Sequence, residues 1–367
     1  MGTKLDVAFK FGAGRYIQEP DALKLAGGEI GRFGHHALVI GGPTALDIAG
    51  EPLRRSLCDA CVTHEFVVYP GYNTREAANH YAAYCKKNSF DVVVGVGGGK
   101  IMDLAKSIAH MAELPVVNIP TQAATCAAYT PMSVMYTEEG AAYRTVGGNF
   151  YHDYEVSAVI IDETVMIHQP PRYAASGILD AMAKFIEVQH GHASMPFNDF
   201  NIELYTAYYL SKYTYDILKE TCLKVYDDIR ERRLTKEVHD FLFINFALTS
   251  VISGVSKAFG QTALAHEMYY CARMFFTNDS LSYLHGEIVG TSLILQLYYN
   301  GTPEKIPEFR NFMKRMEMPV TLKELGIPET GKNIQKIFEY LHSTAFVEDT
   351  EENREKLMNS IRAVCEI

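Results

Sequence analysis

No run of apolar residues in this chain reaches the roughly 18–20 that a membrane span needs. Positive charge is also in deficit: 34 Lys and Arg stand against 44 Asp and Glu, a formal net charge of -10. That balance disfavours a nucleic-acid partner on electrostatic grounds. The opening Met-Gly-Thr-Lys-Leu-Asp carries one Lys with no apolar core behind it, so a secretory signal is not expected. Asp6 stands where a myristoylation signal wants Ser or Thr. Of seven cysteines, only Cys58 and Cys61 have Cys-x-x-Cys spacing. The continuation Val62-Thr63-His64 does not make a haem-attachment motif, and a zinc knuckle would need a second pair. Reduced thiols in a cytoplasmic protein are the expectation. Internal repeats and low-complexity linkers are missing too.

What is present suits a globular protein: 48% of the 367 residues are hydrophobic and 21% charged, enough chain for two domains. In the first part, short runs rich in β-branched residues read as strands at 37–40, 63–68, 91–95 and 114–119, with 156–161 as the last. Between them, 44–60, 74–88 and 102–112 read as helices. Apolar runs with little alternation suit a parallel sheet buried on both faces, and strand–helix repetition argues for a doubly wound α/β domain. After Pro170-Pro171 the strand-like runs stop. Helical periodicity takes over at 176–190, 198–224, 236–253, 262–276 and 285–299. We therefore expect an α/β domain over 1–165 and an all-helical domain over 166–367.

One segment carries chemistry by itself. Asp91-Val92-Val93-Val94-Gly95-Val96-Gly97-Gly98-Gly99-Lys100 runs from a strand through glycines into a helix. Glycines let the backbone approach an anion, and the free amides of a helix N-terminus point at phosphates. A tight ligand-free connection would use the same residues, at an entropic cost. The run is not the Rossmann fingerprint, because Lys100 stands where the last glycine belongs. It is not a Walker A loop either, because Ile101 follows the lysine.

Gly97-Gly98-Gly99-Lys100-x-x-Asp103-x-x-Lys106, Pro120-Thr121, Ser133-Val134-x-Tyr136, Ser176-Gly177-x-x-Asp180-Ala181 and His285-Gly286-Glu287 together resemble the glycerol dehydrogenase branch of the iron-containing alcohol dehydrogenase superfamily. The resemblance spans essentially the whole chain. It implies a dehydroquinate synthase-like arrangement of an N-terminal dinucleotide-binding domain and a C-terminal helical metal-binding domain. It implies NAD or NADP contacts from Gly98, Gly99, Lys100, Asp103, Thr121, Thr130, Met132 and Tyr136. It implies Asp180, His266 and His285 as the catalytic metal ligands, a carboxylate and two imidazoles that leave a position open. In the iron enzymes a further histidine follows the aspartate by one turn. Here that place is Lys184, so Zn2+ is favoured, with Fe2+ and Mn2+ open. Outside the resemblance a lone histidine such as His266 is more often a satisfied core residue. His35, His36, His152, His190 and His192 read as surface or supporting residues.

Two departures bear on specificity. Glycerol dehydrogenases carry a polyol-binding aspartate where this chain has Cys126, and a neutral side chain there tolerates an anionic substrate. The loop then resembles hydroxycarboxylate dehydrogenases, which points to a 2-hydroxy or 2-oxo acid. Gly42 stands where NAD-using members often place an acidic residue, so NADP is allowed. The expected partners are a small-molecule substrate and further copies of the chain, with no membrane. The rival readings are a glycerol or polyol dehydrogenase, a dehydroquinate synthase-like lyase, which would need a basic cluster that Lys184 and Lys257 only hint at, and a non-catalytic nucleotide binder. No residue is marked as a proton relay.

Overall fold

The computed structural model describes residues 9–142, 148–194, 201–257 and 261–365. Its strands are β1 (Arg15–Glu19), β2 (His36–Gly41), β3 (Thr63–Val68), β4 (Val92–Gly97), β5 (Val116–Pro120), β6 (Met132–Val134), β7 (Asn149–Tyr151) and β8 (Ala158–Asp162). Six of them form one parallel sheet in the order β1-β8-β5-β4-β2-β3, and β6 pairs antiparallel with β7. Alternate residues of each strand serve opposite faces. Val39, Val94 and Val117 pack with α1 (Leu23–Ile30) and α2 (Pro43–Asp59). Leu38, Ile40 and Val93 pack on the other face with α3 (Arg75–Asn88) and α4 (Gly99–Ala112). Both faces are covered, as the near-continuous valine runs require.

From Asp162 onward the described chain is helical: α5 (Glu163–Met166), α6 (Pro171–Val188), α7 (Ile202–Arg230), α8 (Lys236–Phe243), α9 (Thr249–Val255), α10 (Leu264–Phe275), α11 (Thr277–Ser280), α12 (His285–Tyr299), α13 (Ile306–Arg315), α14 (Gly331–His342) and α15 (Glu351–Cys365). Pro171 sits at the start of α6, where a missing N–H costs nothing. The helix expected from 198 begins at Ile202, capped by the Asn201 side chain on Leu204 N, and continues to Arg230; residues 198–200 lie outside the described residues.

Several elements differ from the sequence expectation. β1, α1 and the β6–β7 hairpin were not anticipated, and β8 ends the sheet in sequence but lies between β1 and β5 in space. The segment expected as one helix over 236–253 is divided by a π turn at Ile244–Leu248. Lys236–Val255 is also long and apolar enough to cross a membrane by length and composition, with 61% of its most apolar window buried. Phe241, Leu242, Ile244 and Phe246 are buried there and face the helical core.

Helix α6 lies unusually close to its neighbours. A Cβ at Gly177 would fall 1.9 Å from the Ala123 carbonyl oxygen, and one at Gly286 in α12 would fall 1.9 Å from the Ser176 carbonyl oxygen. Gly177→Ala is therefore expected to lower unfolding free energy by about 1–3 kcal/mol through overpacking. A urea midpoint equal to that of the wild type would refute this close contact.

His152, expected at the surface or in a supporting place, is buried beside the hairpin, with Nε2 2.8 Å from Ser133 Oγ. Burial, helped by the nearby Lys106 ammonium, pushes its imidazole down to about 2. The unfolded chain protonates this histidine below its ordinary 6.5, whereas the folded chain does not until about 2. The unfolded state thus binds more protons in that window, and His152 withdraws stability as pH falls. His152→Gln is expected to flatten the stability profile between about pH 6 and 4, by about 1.4 kcal/mol per pH unit. Parallel wild-type and variant profiles in urea titrations would count against it.

Candidate active site at the sheet edge and helix α6

The chain order reverses direction between β2 and β4, so a crevice opens beyond their C-terminal ends. Gly41 and Gly42 border it from β2, and Gly97 and Gly98 from β4. Gly97 has φ +152°, a conformation that favours glycine. Gly98 caps α4 without a side chain, and a Cβ there would strike Gln122 Nε2 at 2.2 Å. The strand–glycine–helix order expected for a phosphate cradle is therefore built, with the first-turn amides of α4 at the crevice. Gly42 has open space: its nearest neighbour to an added Cβ is Ile101 Cγ1 at 3.9 Å.

The other expected cofactor residues divide into two groups. Thr121 follows β5 at the crevice, where its N–H donates to Gly97 O at 3.0 Å. Lys100 is exposed, and its ammonium lies 3.8 Å from the centre of the Tyr72 ring. Tyr72 in turn packs on Tyr136, with ring centres 5.4 Å apart. Asp103, by contrast, is buried under the loop. Its carboxylate pairs with Lys106 Nζ at 2.8 Å and accepts from Val134 N at 3.0 Å. Lys106 donates onward to the carbonyls of Ala127 (2.7 Å), Thr130 (2.9 Å) and Met132. The buried pair thus pins the loop that bears Thr130 and Met132. This geometry makes Asp103 a support of the loop that bears Thr130 and Met132, with both carboxylate oxygens engaged inside the protein.

The second centre lies on α6, α10 and α12. Asp180, His266 and His285 each present a ligand atom, all within 4.8 Å of one another. Asp180 Oδ1 is 3.5 Å from His266 Nε2 and 3.6 Å from His285 Nε2. Glu187, two turns beyond Asp180 on α6, holds this arrangement from behind. Its Oε1 accepts from the amides of Ala263 (2.7 Å) and His266 (3.0 Å), satisfying the N-terminus of α10, and Oε2 takes His266 Nδ1. Burial opposes a charge on His266, yet Glu187 holds its imidazole above the ordinary value; in the neutral ring, with Nδ1–H donated to Glu187, Nε2 keeps its lone pair for the centre. Glu287 does comparable work for α12: it accepts from Leu284 N at 2.7 Å and binds Arg172 at 2.6 Å through each oxygen, fixing the turn before His285. Tyr269 packs edge-on against His285 at 4.3 Å and hydrogen-bonds Tyr136 at 2.9 Å, linking the centre to the cofactor loop.

Charge at this centre is tightly balanced. Burial alone would raise the Asp180 carboxyl, but Lys184 and the two imidazoles hold it well below the usual carboxylate range. Burial likewise opposes the Lys184 charge, yet Asp180 keeps that ammonium above the ordinary lysine value. Burial pushes His285 down, toward the neutral form a cation requires. These donors fit a divalent cation: one carboxylate, two imidazoles, and a tautomer fixed by a second carboxylate.

Cys126 lies in the loop facing this centre, and Ser250 Oγ donates to its carbonyl at 3.4 Å. Burial, reinforced by Asp180, pushes its thiol up to about 11, so it is neutral. The π turn brings Asn245 Nδ2 to Thr125 O at 3.3 Å, supporting the same loop. Lys257 is turned away onto the Phe9 ring, 4.3 Å from its centre.

Glu187, Tyr269 and Gln122 were missed from the sequence. A signal for Glu187 existed: Asp180, Lys184 and Glu187 recur at i, i+4 and i+7 on an otherwise apolar helix. Three charges on the face that should be buried mark a site. Tyr269 and Gln122 had no comparable signal.

Comparisons with known proteins find relatives over most of the chain. The sequence model of the family described as "Iron-containing alcohol dehydrogenase" matches residues 13–161. The chain is 28% identical to a glycerol dehydrogenase of Thermotoga maritima over 86% of this chain and 84% of that protein. It is also 28% identical to hydroxycarboxylate dehydrogenase A of Escherichia coli K12, over 64% of this chain and 63% of that one. Among solved structures, a probable glycerol dehydrogenase from Sinorhizobium meliloti 1021 superposes with a TM-score of 0.81 at 21% identity, covering 97% of both chains. That likeness speaks for the fold.

Glu187→Gln tests the backing of the centre. The glutamine oxygen would keep the α10 amides, leaving its NH2 against His266 Nδ1 and forcing the proton onto Nε2. Zinc affinity, read by competition with a chromophoric chelator, is expected to fall about 10–100-fold. Unchanged affinity would show that Glu187 does not set the tautomer.

Proposed function

We infer that this chain, which belongs to the iron-containing alcohol dehydrogenase family, is a metal-dependent, NAD(P)-linked oxidoreductase acting on the CH–OH group of a small alcohol. A nicotinamide cofactor, when bound, would supply hydride chemistry, and a divalent cation would supply Lewis acidity toward the oxygen of the reacting carbon. Asp180, His266 and His285 would hold that cation; three protein ligands, with Lys184 in place of a fourth histidine, favour zinc. Gly98 and Gly99 would let the α4 amides reach a pyrophosphate, and Thr121, Thr130, Met132 and Tyr136 would contact the cofactor. The open space at Gly42 leaves no carboxylate to reject a 2′-phosphate, so both NAD and NADP are accepted in this reading.

For the substrate we propose a 2-hydroxy acid and its 2-oxo counterpart. The observation that carries this is Cys126: a neutral thiol on the loop facing Asp180, where a carboxylate would repel an anion. The relative named hydroxycarboxylate dehydrogenase A supports it. The relatives named glycerol dehydrogenase favour a polyol instead, and the metal centre suits either.

Substrate preference separates the two. The zinc-loaded protein should oxidise NADH or NADPH faster with 2-oxobutanoate or 2-oxoglutarate than with dihydroxyacetone; faster turnover of dihydroxyacetone than of every 2-oxo acid overturns the acid reading. Cys126→Asp adds a charge at about 6 Å from a substrate carboxylate, about 2–3 kcal/mol at an effective dielectric of about 20. It should therefore shift the preference toward dihydroxyacetone by about a hundredfold.

A further inference from the structure

Lys184 is a buried cation at the centre that the ligand set does not use. It stands one turn after Asp180 on α6 and is buried, only 4% of its side chain being exposed. Its ammonium lies 3.2 Å from Asp180 Oδ1 and 3.1 Å from His266 Nε2. His266 Nε2 has a single lone pair, because Nδ1 is committed to Glu187. That lone pair can accept from Lys184 or bind a cation, but not both. Charge adds a second constraint. Asp180 and Glu187 contribute two negative charges and Lys184 one positive. A bound divalent cation leaves an excess of one positive charge, in a place where an unpaired charge is expensive. Cys126 supplies no carboxylate to neutralise it.

We propose that Lys184 is a resident cation which a metal displaces from His266, and that the displaced ammonium then anchors the carboxylate of a 2-oxo or 2-hydroxy acid. The anchor rests on the acid reading above and deepens it; the displacement does not depend on that reading. A carboxylate supplies the missing negative charge and accepts the hydrogen bond that His266 gives up. A neutral alcohol such as glycerol would leave the ammonium unpaired, so Lys184 makes the centre selective for substrate charge. It acts in the same direction as Cys126, from a different element of the fold.

Lys184→Met keeps the length of the side chain and removes the charge. Its zinc affinity, measured by chelator competition, should rise about tenfold or more, because the competing like charge is gone. Oxamate, an inert 2-oxo acid analogue, should bind the zinc- and cofactor-loaded variant about 10–100-fold more weakly than the wild type by calorimetry, the loss of a charge-assisted hydrogen bond. The ratio of kcat/KM for 2-oxobutanoate over dihydroxyacetone should fall by a similar factor. Lys184→Gln, which keeps a hydrogen-bond donor, is measured beside it, with thermal melting of both to confirm folding. Unchanged or weaker zinc binding in both folded variants overturns the displacement. Equal oxamate binding in wild type and variants overturns the anchor while leaving the substrate class intact. A wild type that turns over no 2-oxo acid overturns the acid reading and the anchor together, whatever the zinc result.

Discussion

Helix α6 meets its neighbours backbone to backbone at Gly177 and through Gly286 of α12, and the rest of the site depends on that closeness. Ser176 Oγ donates to Ala124 O at 3.2 Å and accepts from Gly286 N at 3.1 Å, so one hydroxyl joins the cofactor loop, α6 and α12. With larger residues at these two positions the helices would stand farther apart. Asp180 on α6 and His285 on α12 would then lose the separation at which one cation can bridge them. The glycines that look like helix-weakening residues in the sequence are thus what lets a carboxylate and an imidazole from elements a hundred residues apart share a centre.

Two buried knots of charge follow from this packing, and they do different work. Asp103 and Lys106 tie down the loop over the sheet, and the lysine's carbonyl partners decide where Thr130 and Met132 stand. Asp180, Lys184, Glu187 and His266 form the second knot, each buried charge tolerable only because the others pair with it. Glu187 couples the two functions of the second knot. It ends the search of α10 for N-terminal acceptors and also selects the tautomer of His266, so the start of the helix and the metal ligand are ordered by the same carboxylate.

Most of the sheet was legible because its valine-rich strands carry a strong local signal, and α12 was read at its observed ends, His285 and Tyr299. β1 was not, because Arg15-Tyr16-Ile17-Gln18-Glu19 is an edge strand with polar ends and only half-buried residues. The hairpin strands have three residues each, too short for a period to register. The triad was reached through motif resemblance; nothing local distinguishes His266 from an ordinary core histidine. Asp103 lies deeper than its motif position suggested. Its place in the glycine motif suggested contact with the cofactor; both carboxylate oxygens are engaged inside the protein, one by Lys106, which the motif contains, and one by the amide of Val134, 31 residues away and outside it.

The ligand triad and the substrate preference are consequently separable properties of this fold. In the reading proposed above, any primary or secondary alcohol could offer an oxygen to a cation held by Asp180, His266 and His285, so the triad by itself would set the reaction class and little else. Discrimination would then fall to side chains around the centre that are not ligands in this reading, and two of them bear on the sign of its charge. Cys126, from the loop after β5, withholds a negative charge; Lys184, from α6, supplies a positive one. Neither change disturbs the residues that hold the helices together, because Gly177, Gly286 and Glu187 carry that role. On that proposal, substitutions at these two positions would alter which substrate charge is accepted while the helix contacts at Gly177 and Gly286 stay as they are.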